Sequence, residues 1–337
     1  PPGSAVARSP FAGAPPATLI SAAALGEPRF GQIAFEARDG KRLDALTYRG
    51  TGFDPRSGPI WFVVHGASRD VERYIAAAAP VAERHGALAI AVEFSRDHYP
   101  RGNDFTLGVI YSGRANAAAL RERRWREPVE YLYSELEHLF DAARSALGGT
   151  QPGYLLFGHS AGAQFTHRLL TFVPGARVLG AVAANAGWYT LPVGGADAAY
   201  AFPYGIAATP LTDADVRALL AAPLVVLLGE RDTTTPAVDR MVRGTPQAMH
   251  QGAHRLARGQ FYFATARERA AELEAAFNWQ IATVPRARHS AAEMIGSAAQ
   301  FLFSAEAPCT PANASAATQL VFTEILADPP PGQTGDA

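Results

Sequence analysis

Short apolar runs alternate with longer amphipathic segments along most of the chain. Residues 60–64, Ile-Trp-Phe-Val-Val, are typical of a strand that is buried on both faces of a sheet. The amphipathic segments have the period of helices. Strands are predicted at residues 60–64, 87–92, 154–157, 178–183, 223–228 and 279–284, and helices at 72–85, 128–147, 163–170, 266–277 and 290–303. This alternation predicts an α/β fold in which helices cover both faces of a mostly parallel sheet.

Two segments near the start alternate apolar and polar positions instead. Residues 30–37 and 43–48 flank an Asp-Gly pair that is typical of hairpin turns, so they predict two antiparallel strands. With these two strands, the predicted sheet has eight strands. Insertions at 95–127, 185–215 and 233–265 are expected to form loops around a site.

The two ends of the chain differ from the folded domain expected at residues 29–305. Residues 1–28 are rich in Pro, Ala, Gly and Ser, which predicts a linker or arm. Because the sequence begins with proline, we expect an export signal to have been removed and the protein to be secreted or periplasmic in a bacterium. A disordered arm or an expression artefact would have the same composition. Residues 306–337 are expected to form a separate tail.

Composition narrows the classes of function. The length of 337 residues and the apolar content of 48% are enough for one large α/β domain or two small ones. A formal net charge of −1 gives no electrostatic reason to expect binding to nucleic acid or to an anionic membrane. No apolar run reaches the roughly 18 residues that span a bilayer. The single cysteine, Cys309, excludes an internal disulfide framework and a cysteine-based zinc cluster.

One segment, Gly158-His159-Ser160-Ala161-Gly162, lies between a predicted strand and a predicted helix. A serine between two glycines at such a junction is the pattern of a nucleophile elbow. The tight turn leaves no room for side chains at the glycine positions and raises the serine hydroxyl above the sheet edge. We therefore predict that Ser160 is a nucleophile. The alternative is an ordinary N-cap serine.

The order of elements around this turn resembles the α/β-hydrolase fold over roughly residues 29–305. A serine hydroxyl is a weak nucleophile, so it needs a base within hydrogen-bond distance and an acid that orients the base. In the resembled fold these residues follow one another as nucleophile, acid and histidine. The resemblance therefore implies where the acid and the base should lie.

The acid is expected after the strand at 223–228, where Asp232 lies. Glu230 and Asp239 are its rivals, and the alternative for Asp232 itself is a solvated residue that caps nearby threonines. The base is expected after the last predicted strand, where His289 precedes the final helix. The histidines that are less well placed are His65, His85, His138, His167, His250 and His254.

An oxyanion hole needs two backbone N–H groups that point at the developing negative charge. The resemblance implies that Ala161, after the serine, supplies one group and that Ala67, in the loop after residues 60–64, supplies the other. Trp188 and Tyr189 follow the strand after the elbow, so they are expected either to contact substrate or to pack the loop. Five other aromatic residues are likewise expected either to contact substrate or to pack the loops: Tyr111, Trp125, Tyr200, Phe202 and Tyr204.

Two short motifs indicate which group of α/β-hydrolases the chain resembles. Residues 65–69, His-Gly-Ala-Ser-Arg, followed by Tyr74, and residues 251–255, Gln-Gly-Ala-His-Arg, resemble secreted bacterial esterases that are similar to polyhydroxybutyrate depolymerases. Within the first motif we predict His65 and Ser68 to bind substrate. The resemblance implies an esterase that needs no metal or other cofactor.

The tail carries a second resemblance. Residues 318–329 are similar to the opening strand of a bacterial lamin-tail-like domain, which implies that a second module begins there. The alternative is a mobile terminus.

These patterns predict a serine carboxylic-ester hydrolase, of the carboxylesterase or polyester-depolymerase-like type, that acts on a small or polymeric ester. Amide or peptide hydrolysis on the same fold is one alternative, and a catalytically silent binding module is the other. The expected partner is the ester substrate alone, and the oligomeric state stays open.

Overall fold

The structure, a computed structural model, describes residues 25, 29–112, 125–195 and 198–304. Contacts divide the chain into two units, Pro1–Ala307 and Pro308–Ala337, and every described residue lies in the first. The predictions for most of the N-terminal arm, for Cys309 and for the tail therefore concern residues outside the described ones.

The described residues form an eight-stranded sheet in the order β1-β2-β4-β3-β5-β6-β7-β8. The strands are β1 Arg29–Glu36, β2 Arg42–Arg49, β3 Ile60–Val64, β4 Leu88–Val92, β5 Tyr154–His159, β6 Val178–Ala184, β7 Leu224–Gly229 and β8 Gln280–Val284. β1 pairs with β2, and β2 with β4, in antiparallel register, whereas the remaining neighbours are parallel. The predicted fold class is confirmed.

Helices cover both faces of this sheet. They are α1 Val71–Arg84, α2 Gly102–Thr106, α3 Glu135–Leu147, α4 Ala161–Phe172, α5 Asp213–Leu220, α6 Pro246–Gln251, α7 Arg255–Glu272 and α8 Ala291–Leu302. Because alternate residues of a strand face opposite sides, Phe62 and Val64 of β3 pack into one core with α3, α4 and α7. Trp61 and Val63 pack into a second core with α1 and α8. Burial on both faces explains why the central strands are continuous apolar runs.

The helices differ from the predicted ones in three ways. The helix predicted at 128–147 begins as two 3₁₀ turns, and α3 starts only at Glu135, because Tyr131 between the turns has an extended backbone. The helix predicted to start at residue 266 starts at Arg255, where the side chain of His254 accepts a hydrogen bond from the Ala257 N–H. Helices α2 and α6 lie within segments that were expected to be loops, and α5 begins in the segment 185–215 and extends beyond it. Thr212 caps α5, and Thr245 caps α6.

No helix in the described part of the chain is both long enough and apolar enough to cross a bilayer.

Candidate active site

Ser160 lies in the turn between β5 and α4, with φ 58° and ψ −114°. A non-glycine residue in this conformation costs about 1–3 kcal/mol, so the surrounding structure must enforce it. A Cβ at Gly158 would lie under 3.0 Å from the carbonyl oxygen of Gly162, and a Cβ at Gly162 would lie as close to that of Val64. Both flanking positions therefore require glycine.

His289 connects Ser160 to Asp232. Its Nε2 lies 2.9 Å from the Ser160 Oγ, and its Nδ1 lies 2.7 Å from the Asp232 Oδ2. The three residues follow β5, β7 and β8, whose carboxyl ends meet at one edge of the sheet because the strands are parallel. The imidazole keeps 29% of its exposure, so a substrate can reach it, whereas the Asp232 side chain is 1% exposed.

A fourth residue, Arg255, binds the other oxygen of the same carboxylate. Its Nη1 donates to the Asp232 Oδ1 over 3.1 Å, and both side chains are buried. Arg255 is the first residue of α7, and the N–H of Leu256 donates to the Asp232 carbonyl oxygen. The start of α7 therefore positions this arginine. Sequence reasoning placed Arg255 only within a family-like motif and did not predict this contact.

The rival acids have other partners. Glu230 accepts a hydrogen bond from the backbone N–H of Arg286, and Asp239 accepts one from the N–H of Met241. Among the histidines that were less well placed, His250 packs against Tyr200. None of these contacts involves His289.

The predicted oxyanion donors both line the cleft beside Ser160. Ala161 is the first residue of α4, so its N–H has no carbonyl to bind within the helix. Ala67 lies in the exposed loop after β3, and its carbonyl oxygen accepts a hydrogen bond from Arg96. The backbone of this loop is thus held by a side chain from beyond β4.

A buried Tyr–His pair supports the same loop. The Tyr74 hydroxyl lies 3.0 Å from the His159 Nδ1, and a Cβ on Gly66 would lie 2.8 Å from that hydroxyl, so the loop passes directly over it. Burial raises the pKa of Tyr74 and lowers the pKa of His159 well below its ordinary value. Both groups are therefore neutral near pH 7. The rings of His159 and His289 are 4.7 Å apart.

Two of the four residues predicted to bind substrate, Ser68 and Trp188, line the cleft. The structure does not bring His65 there: its Nδ1 lies 3.0 Å from the Gly66 carbonyl oxygen, and its Nε2 accepts the Phe94 N–H. Tyr189 stacks in the core on the ring of Tyr262. Among the other aromatic residues, Tyr111, Trp125 and Phe202 pack on one another, and Tyr204 packs on Trp188.

The cleft has a volume of about 580 Å³. Among the described residues, five arginines line it, and the sequence reasoning did not predict them as a group: Arg69, Arg73, Arg96, Arg243 and Arg255. They come from the β3–α1 loop, α1, the segment after β4, and the β7–α7 region, so only the fold brings them together.

Solved structures are similar to this chain over most of its length. Poly(aspartic acid) hydrolase-1 from Sphingomonas sp. KT-1 is 36% identical, with a TM-score of 0.74, and the match covers 82% of this chain and all of that one. LpqC, a poly(3-hydroxybutyrate) depolymerase from Bordetella parapertussis, is 31% identical, with a TM-score of 0.75 and coverage of 86% and 94%. An IroE-like serine hydrolase from Shewanella oneidensis, 10% identical with a TM-score of 0.51 and coverage of 82% and 80%, shares the fold.

No family model matches the sequence, and no curated protein matches it. The similarity therefore rests on the solved structures.

Proposed function

The chain belongs to the α/β-hydrolase superfamily, among its esterases, and from this premise we propose that it is a serine hydrolase that cleaves carboxylic esters through an acyl-enzyme intermediate. The observation that carries the proposal is the pair of contacts of His289, at 2.9 Å from the Ser160 Oγ and 2.7 Å from the Asp232 Oδ2. One imidazole is thereby within hydrogen-bond distance of both a hydroxyl and a buried carboxylate.

In the proposed first step, His289 takes the proton of Ser160. Its Nδ1–H donates to Asp232, which leaves the Nε2 lone pair free to accept the hydroxyl proton. The Ser160 Oγ attacks the ester carbonyl carbon, and the imidazolium that forms is stabilised by the carboxylate of Asp232. The strained backbone of Ser160 holds the hydroxyl toward the cleft.

The tetrahedral intermediate places a negative charge on the former carbonyl oxygen. In the proposal, the backbone N–H groups of Ala161 and Ala67 donate to this oxygen, and each such donor contributes about 2.7–4 kcal/mol in enzymes of this type. The positive end of the α4 dipole lies at Ala161 and acts in the same direction.

The intermediate then collapses and expels the alcohol. His289 returns the proton from its Nε2 to the leaving oxygen, so that Ser160 is left as an acyl ester. Water then attacks this ester while His289 accepts its proton, and the carboxylic acid leaves as the serine hydroxyl forms again. The cycle needs no other reactant.

We expect the purified protein to hydrolyse p-nitrophenyl butyrate. Ser160→Ala should lower kcat by at least about a thousandfold because the nucleophile is lost. A fluorophosphonate probe should label Ser160, and mass spectrometry of the labelled peptide should locate it. Ser297→Ala, on α8, is the matched control and should keep both turnover and labelling.

Two results would contradict this proposal. Equal turnover by Ser160→Ala would exclude Ser160 as the nucleophile. A wild-type protein that neither labels nor turns over esters would instead support a silent binding module.

Amide hydrolysis is a second candidate, favoured by the 36% identity to a poly(aspartic acid) hydrolase, since that polymer is a polyamide. The same serine, base and oxyanion donors would act on an amide, with His289 protonating a leaving amine. Matched p-nitroanilide and p-nitrophenyl ester series would decide: a higher kcat/KM for the anilides, relative to uncatalysed hydrolysis, would favour the amidase.

A polyester is the candidate substrate that the LpqC match favours. Emulsified poly(3-hydroxybutyrate) should clear in the presence of the protein if the cleft accepts polymer ends or loops. Activity that is confined to soluble short esters would contradict this candidate.

A further inference from the structure

Among the described residues, the lining of the cleft beside Ser160 has more positively charged side chains than negatively charged ones. Of the five arginines in its lining, only Arg255 has a carboxylate within 4.0 Å among the described residues, and that partner is Asp232. The one acidic residue of the described lining, Asp239, hydrogen-bonds to the N–H of Met241. The charges of the remaining four arginines are therefore not matched by ion pairs in the described part of the chain.

Two more guanidinium groups lie buried beneath the cleft without carboxylate partners among the described residues. Arg168 donates to Thr190, to the Thr106 carbonyl oxygen and to Gln164, and its Cζ lies 4.1 Å from the ring centroid of Trp188. Arg258 donates to the carbonyl oxygens of three residues: Gly187, Arg243 and Gly252. These contacts are with neutral groups, so the cations contribute a positive field to the cleft floor.

Burial lowers the pKa of both groups, and that of Arg69, to about 10. All three consequently stay charged at neutral pH. Arg69, which donates to the carbonyl oxygens of Phe94 and Tyr99, is likewise bound only to neutral acceptors.

Arg243 presents its guanidinium to the cleft in a fixed orientation. Its Nε donates to the Tyr204 hydroxyl over 3.0 Å, and its Cζ lies 5.3 Å from the ring centroid of Trp188. Arg258 binds the carbonyl oxygens of Gly187 and Arg243, so it joins the two segments that carry these side chains. The two Nη groups of Arg243 have no partner among the described residues. A planar pair of N–H donors held in this way matches the two oxygens of a carboxylate.

Arg73 and Arg96 add to the positive charge of the cleft lining. Both are exposed and line the cleft, and Arg96 uses one Nη to bind the Ala67 carbonyl oxygen over 2.8 Å. They come from elements distant in sequence from Arg243. The charges are thus spread along the cleft and do not surround one point.

We propose that the cleft selects substrates that carry a carboxylate near the scissile bond, and that Arg243, held against Trp188, is the principal recognition group. This inference rests on the proposed hydrolase function, because the substrate preference is measured as the rate of ester cleavage. It adds the substrate class: esters of dicarboxylic acids or of hydroxy acids with a free acid group.

Two matched substrate pairs test the proposal. The first pair is mono-p-nitrophenyl adipate, which has a free carboxylate, and its methyl ester. The second pair is 4-(butyryloxy)benzoic acid, which carries the carboxylate on the leaving phenol, and its methyl ester. Release of the phenol is followed, and the rate without enzyme is subtracted. We expect kcat/KM for the charged member of at least one pair to exceed that of its neutral match by about tenfold, and this ratio to fall as salt screens the charges.

Arg243→Gln should lower the same ratio by about fivefold to tenfold. Arg84→Gln is the matched control, because Arg84 is an exposed arginine on α1, the helix that carries Arg73. It follows Arg73 by eleven residues, which places it about 16 Å from Arg73 along the helix axis. It should leave the ratio and the activity as they are. Neutral substrates that are preferred in both pairs, or a ratio that Arg243→Gln does not change, would overturn the proposal.

Binding without turnover separates this proposal from the proposed function. Sodium adipate should raise the Tm of the wild-type protein but not that of Arg243→Gln, whereas 1,6-hexanediol should raise neither. If no ester is cleaved but adipate stabilises in this Arg243-dependent way, the hydrolase function fails and the carboxylate site stands. The carboxylate site fails if esters are cleaved without charge preference and adipate does not raise the Tm. It also fails if esters are cleaved without charge preference and inorganic phosphate alone raises the Tm.

Discussion

At the residue scale, the unexpected contact of the candidate site is that between Asp232 and Arg255. The carboxylate is almost fully buried and has a partner on each oxygen, His289 on Oδ2 and Arg255 on Oδ1. Removal of one partner from a buried charge costs more than an exposed ion pair contributes, because the remaining charge keeps its desolvation penalty. Arg255 is therefore a positioning residue, since it acts on Asp232 and through it on the imidazole.

We expect Arg255→Gln to lower kcat by one to two orders of magnitude, as the loss of a charge-assisted hydrogen bond of about 1.5–3 kcal/mol would do. Arg255→Lys should restore part of the loss because it keeps the charge. Arg267→Gln, at an exposed position of the same helix, is the control. Steady-state kinetics should show the effect in kcat. A lower Tm with unchanged kcat would mean that Arg255 is only structural.

At the element scale, the turn between β5 and α4 depends on contacts that its own sequence does not contain. The glycine pattern around Ser160 predicts the turn, but the reason for Gly162 is the carbonyl oxygen of Val64 on the adjacent strand β3. Helix α4 starts directly after the serine and packs against β5 and β6. A side chain at residue 162 would therefore have to separate the helix from β3.

We expect Gly162→Ala to lower the free energy of unfolding by about 1–3 kcal/mol, as overpacking does, and to displace Ser160 enough to reduce kcat. Gly296→Ala is the matched control: it is an exposed helical glycine in α8 with nothing within 4 Å of the added Cβ. That change should stabilise the protein by about 0.5–1 kcal/mol. Urea unfolding and turnover of p-nitrophenyl butyrate measure both. An equal response of the two variants would contradict the packing argument.

At the scale of the whole molecule, three histidines are buried as neutral groups in different parts of the fold. Burial lowers the pKa of His65 to about 4, and it lowers the pKa of His159 and of His167 well below its ordinary value. In the unfolded chain each of them titrates near pH 6.5. Below that pH the unfolded state binds more protons than the folded state, so stability is complete above about pH 6.5 and is lost as the pH falls. For His65 the loss continues to about pH 4.

We therefore expect the free energy of unfolding, measured with urea, to fall between pH 7 and pH 5 by up to about 1.4 kcal/mol per pH unit for each of these histidines, and the urea midpoint to fall with it. His65→Gln should lower stability at pH 7 but make its dependence on pH shallower. His98→Gln, at a half-buried position, is the control and should keep the wild-type slope. A midpoint that is constant across this range would contradict the argument.

The sequence by itself determined the strands of the sheet. Unbroken apolar runs mark the central strands because these are buried on both faces, and alternating apolar and polar residues mark β1 and β2. The glycine pattern predicted Ser160 as a nucleophile, and the resemblance to the α/β-hydrolase fold implied Asp232 and His289 as its partners. The structure brings the three side chains within hydrogen-bond distance along the chain Ser160–His289–Asp232, and their catalytic roles are proposals.

Only the tertiary structure decided which side chains meet at the carboxyl edge of the sheet. It placed His65 and Tyr189 in the interior, although their positions in the sequence were compatible with a cleft, and it brought Arg243 and Arg255 beside Ser160. The physical reason is that local patterns record burial and turn geometry, whereas a contact between distant residues depends on how the loops and helices pack.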